Sequence, residues 1–94
     1  MSETNDSVTL QLEKSMTLAN TESFYHEVMK VVEGGMPENI SIDCVCNEII
    51  DISILQILSA LQKKVATSDC KLKWDNPSIS LFELSSEVGL DVID

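Results

Sequence analysis

Asp43, Glu48, Asp51 and Ser53 are the residues of this chain whose types and spacing could do chemistry, and they share one short stretch. Carboxylates gathered after a strand can bind Mg²⁺. Acids flanking a helix start are also ordinary capping groups, and that reading is adopted for Asp43, Glu48 and Asp51. Asp51 would then cap the following helix, with Ile52 and Ser53 in its first turn. A phosphate on the Ser53 hydroxyl would meet unpaired backbone N–H groups and the positive end of that helix, but with a carboxylate beside it. Ser53 is therefore a candidate phosphorylation site.

The other reactive side chains suggest less. Structural zinc takes C-x₂₋₄-C pairs and four ligands, whereas this chain has Cys44-Val45-Cys46 and a distant Cys70. Within a strand, C-x-C puts both thiols on one face, where they would be buried as small hydrophobes. No metal and no cofactor is expected. His26, the one histidine, falls in the middle of a helix with no nucleophile at a spacing that sequence can vouch for, so no triad is indicated. Gly34-Gly35 ends a helix instead of opening one, so there is no phosphate loop.

The elements that must position these residues follow from hydrophobic period. Asn39 to Leu61 is the organising stretch: an apolar β-rich run over Ile40–Val45, a polar break at Asn47-Glu48, and a turn at Asp51. Apolar residues then recur at Ile54, Ile57, Leu58, Leu61 and Val65 with helical spacing. Before it, Val8, Leu10 and Leu12 alternate with polar residues as a half-buried strand. Lys14 and Ser15 turn the chain, and Met16–Leu18 is expected to pair back as a short second strand. A helix over Thr21–Glu33 is capped by Asn20 or Thr21, buries Phe24, Val28, Val31 and Val32, and stops at Gly34-Gly35 before Pro37. Cys70–Trp74 reads as a strand near a sheet edge. Asn76 as cap and Pro77 in the first turn open a last helix that ends at Gly89; Leu90–Ile93 is a final strand or packs down. The predicted order is β(β)αβαβα(β), an α/β fold with a mixed sheet and at least one parallel strand pair. Ile42, Val45, Leu58 and Leu61 are expected in the core.

Composition bounds the function. The chain has 94 residues, enough for one domain, here placed at 8–94 behind a flexible acidic tail at 1–7. Only four residues are aromatic, so the core is aliphatic. Sixteen acidic against six basic residues give a net charge of −10. That field disfavours nucleic acid and anionic membrane, and either steers a basic protein partner or keeps the chain soluble. The opening MSETNDS lacks the apolar core of a secretory signal, and no apolar run approaches the ~20 residues of a membrane span. Reduced thiols in the cytoplasm are expected.

The runs IDCVCNEIIDISILQILSALQKK and CKLKWDNPSISLFELSSEVGLDV together resemble the STAS domain of anti-sigma-factor antagonists and their bacterial signal-transduction relatives. In that pattern an aliphatic strand ends in Asp, here Asp43. A few residues later comes I-D-[ST]-[STA]-G-L at a helix start, matched by Asp51 and Leu55, and Gly89-Leu90 closes the last helix. The likeness covers Val8 to Val92. It implies a non-enzymatic protein-interaction module that binds an anti-sigma or kinase-type regulator through Asp51, Ile52, Ser53, Ile54 and Gln56. The chain departs from the pattern where it matters: the modified Ser or Thr that follows the Asp is Ile52 here, and the Gly is Ile54. Ser53 keeps a hydroxyl one position late, about 100° around the helix, so binding without the usual phosphorylation switch is expected. Leu55-Gln56 also resembles STAS proteins that partner transporter ATPases or chemotaxis-type kinases, which supplies the alternative reading: an accessory subunit of an ABC-type transporter or a chemotaxis-type signalling complex. A metal-dependent phosphatase using Asp43, Glu48 and Asp51 ranks third.

Overall fold

A computed structural model describes residues 7–90 of the chain, the side chain of Ser80 aside. In chain order it contains β1 (Ser7–Gln11), β2 (Ser15–Met16), a 3-10 turn (Leu18–Asn20), α1 (Thr21–Glu33), β3 (Asn39–Asp43), β4 (Ile49–Ile50), α2 (Ile52–Ala66), β5 (Lys71–Asp75), α3 (Ile79–Ser85) and a second 3-10 turn (Ser86–Val88). The α/β class expected from the sequence is the class observed.

Three strands form a sheet in the order β1-β3-β5, and both pairings are parallel. Parallel neighbours need long crossovers, and α1 and α2 supply them. Register aligns Val8, Ile40 and Leu72 in one row and Leu10, Ile42 and Trp74 in the next. The period-two alternation turns these rows to the core: Leu10, Ile40, Ile42 and Trp74 are buried. The opposite face carries Thr9, Ser41 and Lys73 in register, none of them buried.

Helix α1 spans the residues expected of it. Phe24 and Val28 are buried, while Val31 and Val32 pack against the core from its margin. Gly35 follows with φ 99°, a conformation that glycine adopts without steric cost. Helix α2 is the centre of the core: Ile54, Leu55 and Leu58 are wholly buried, Leu61 and Val65 nearly so. It touches α1 on one side and α3 and its following turn on another.

Several expectations need correction. Ser7, assigned to the tail, is the first residue of β1; residues 1–6 lie outside the described range. The second strand does not pair back. The chain keeps its direction after β1: the Leu12 N–H still bonds the Asp43 carbonyl, and Ser15–Met16 runs on beside the segment after β3 and pairs in parallel with Ile49–Ile50. Every strand pairing among the described residues is therefore parallel, and the sheet is not mixed there.

β3 ends at Asp43, two residues early. The Val45 N–H turns onto the Asp43 carboxylate (3.0 Å) and the Asn47 N–H onto the Cys44 carbonyl (3.0 Å), which throws the intervening side chains outward. Val45, expected in the core, is 59% exposed, and Cys46 is exposed while Cys44 is buried. Finally, Asn76 does not cap α3. It occupies a left-handed turn at φ 56°, and Ser78 caps instead, its hydroxyl oxygen accepting the Leu81 N–H at 3.1 Å. Gly89 ends this region with φ 72°, as expected of a stop, and Leu90 is buried; the rest of the last expected strand lies outside the described residues.

Candidate partner-binding surface

Asp51 caps α2 from extended backbone, and its carboxylate accepts two hydrogen bonds from one residue: the Ser53 N–H at 2.9 Å and the Ser53 hydroxyl at 2.6 Å. Those bonds, the hydroxyl's first, hold the Asp51 carboxyl below the ordinary carboxylate range. Ser53 is linked further, its oxygen lying 2.8 Å from the Thr21 hydroxyl oxygen. A carboxylate only accepts, so the single Ser53 proton goes to Asp51 and Thr21 donates to Ser53. The chain Thr21→Ser53→Asp51 thus fastens the start of α1 to the start of α2. Asn20, the other expected α1 cap, leaves that helix alone; its side-chain oxygen accepts the Thr17 N–H at 2.7 Å.

Three apolar side chains around this turn, Leu18, Ile49 and Ile52, face outward. β2 and β4 pair in the register Ser15↔Ile49 and Met16↔Ile50, and the Asp51 N–H continues the ladder onto the Met16 carbonyl at 2.7 Å. Met16 and Ile50 take the buried side, which leaves Ile49 on the outer one. One step beyond the ladder, Leu18 and Ile52 begin their helical turns. Leu18 is 70%, Ile49 56% and Ile52 41% exposed. Asn47 braces the ribbon, its side-chain amide donating to the Glu13 and Ile49 carbonyls.

Of the residues expected to bind a partner, Asp51, Ile52, Ser53 and Gln56 reach this surface, with Ser53 half-buried. Ile54 does not: it is fully buried and supports the turn from inside. The helical period accounts for this, since two residues beyond Ile52 is about 200° around α2. Sequence reasoning missed Leu18 and Ile49. Leu18 has no local signal, because the parallel ribbon pairs its segment with one far along the chain, and Ile49 faces outward through its register in that ribbon.

The remaining candidates are dispersed. Asp43 is engaged by Val45, Glu48 is exposed, and among the described residues no group of three or more His, Cys, Asp or Glu side chains could hold a metal ion. Burial, then the charges of Asp43 and Asp75, push the Cys44 thiol up to about 11. His26 is exposed on α1 with its ring edge against Tyr25. No helix among the described residues is long and apolar enough to cross a membrane.

A comparison with curated proteins finds no match. The parallel sheet, the three helices and the Asp-capped turn of α2 agree with the resemblance that the motifs carry, and the family model of the STAS domain matches residues 1–93. The chain belongs to the STAS domain family, a family of protein-interaction modules.

Proposed function

We propose that this chain is a single, non-catalytic cytoplasmic docking module that binds a kinase-type regulator of the anti-sigma class through the Asp51 turn and the exposed stripe of α2. The observation that carries the reading is Ile52. It sits at the first position of α2, where the resembling antagonists carry their phosphorylated hydroxyl, and it shows 41% of its surface to solvent. An aliphatic side chain held at a rigid helix start is a binding anchor.

The hydroxyl network supports binding without a switch. Ser53 is half-buried, donates its proton to Asp51 and accepts from Thr21. A phosphate there would remove the proton that Ser53 gives to Asp51 and set about two negative charges against the Asp51 carboxylate. Partner binding is accordingly constitutive, set by abundance.

Capture of tagged chain from native cytoplasm, in parallel with Ile52→Asp and Ser53→Asp, tests this. The expected result is a captured protein with a kinase-type ATP-binding domain, lost with Ile52→Asp, and no phosphate on Ser53 by peptide mapping. Capture of a transporter ATPase in its place, or substantial Ser53 phosphate, would overturn it.

A further inference from the structure

A second surface lies beside that turn and is made by α1 and α2 together. The two helices begin side by side at the Thr21–Ser53 contact, and a groove of about 520 Å³ runs between them as far as Val32 and Lys64. Its floor and walls are apolar, with Tyr25, Val28, Met29, Ile57 and Leu61 prominent and Ala60 leaving a low rim. From Thr21 to Val32 the groove is about 17 Å long, three turns of helix.

The ends of the groove differ in charge. Both helix N-termini, Glu22 and Asp51 stand at one end. Lys64 lines the other, with Lys63 next to it in the last turn of α2 and Glu33 at the end of α1. Among the described residues the one ion pair is Lys73–Asp75, so neither lysine is paired with a described residue.

From this geometry we propose that the groove takes one amphipathic helix of a partner protein, about three turns long and antiparallel to α1 and α2. An antiparallel helix brings its negative dipole end to the two positive N-termini. Its last turn favours Lys or Arg, which meet Glu22 and Asp51; its first turn favours Glu or Asp, which meet Lys63 and Lys64. The aliphatic walls accept leucine-type residues at i, i+3, i+4 and i+7, and flexible Met29 adapts to their shape. A second copy of this chain fits poorly, because each copy carries a net charge of −10. The proposal rests on the module reading but not on Ile52 being its anchor.

The probe is a designed fluorescent amphipathic helix of about 11 residues, three turns, with Glu in its first turn and Lys in its last. A twin keeps the apolar face and exchanges the charges. We expect the first probe to bind about tenfold more tightly than the twin, with amide shifts changing at Met29, Val32, Ile57 and Ala60. Ala60→Glu fills the low rim while forming a favourable i,i+4 pair with Lys64, so it keeps the helix and weakens the probe about tenfold. Lys63→Glu/Lys64→Glu should reverse the preference between probes. Equal binding of both probes, insensitivity to Ala60→Glu, or self-association that Ala60→Glu abolishes would overturn the proposal. Ile52→Ala separates the two readings: it adds no charge at this end of the groove, so it should leave probe binding unchanged while it weakens the captured cellular complex.

Discussion

Thr21 and Ser53 place their hydroxyl oxygens 2.8 Å apart across 32 residues of chain, and the bond joins the first turn of α1 to the first turn of α2. Because Ser53 also donates to Asp51, the turn expected to meet a partner is held from two directions. A docking surface fixed in this way loses little conformational entropy on binding.

Removing the Ser53 hydroxyl tests that relationship through pH. Asp51 is held below its ordinary value near 3.8, so its bonds contribute fully above that pH. Their contribution is lost as pH falls through the lower, folded value. Ser53→Ala should move the Asp51 carboxyl back up toward the ordinary range. Following the Asp51 carboxyl carbon by NMR between about pH 2 and 6 measures the shift.

Ile52→Asp should separate binding from folding. The side chain is substantially exposed, so the unfolding free energy should change by no more than about 0.5 kcal/mol. Partner affinity should fall at least tenfold, since a charge enters an apolar contact. Denaturant unfolding followed by the buried Trp74 checks the first half, and a pull-down titration the second.

Leu58→Ala should cost about 2–5 kcal/mol, because the side chain is completely buried in the central helix. A lowered urea midpoint with an unchanged slope would show it. The slope matters, since it separates lost stability from a changed unfolded state.

The two thiols around Val45 should behave as opposites. Cys46 is exposed and should react with a thiol reagent in the native protein at neutral pH. Cys44 is buried, with its thiol raised to about 11, and should react only when the chain unfolds. Mass mapping of alkylated peptides after brief and prolonged exposure distinguishes them.

Several of these features were legible from residue order alone. The bounds of α1, the Asp51 cap and the buried stripe of α2 followed from local rules: helical period, a short acceptor side chain before it, and glycines after it. The α/β class followed from the alternation of those patterns. Each of these depends on residues within a turn or two of one another.

The tertiary structure decided what depended on distant partners. β2 lies beside β4 because the chain keeps its direction after β1 and stays bonded to the segment that continues β3, and no pattern within residues 15–18 encodes that choice. Val45 faces solvent because the ladder stops at Asp43 and the Asp43 carboxylate bends the chain. A parallel ribbon sets the segment leading to Leu18 beside the one leading to Ile52, and the groove between α1 and α2 exists because two crossovers place both helices against the same sheet. Sequence specifies such features only through packing, since a side chain's exposure is set by whichever remote segment comes to cover it.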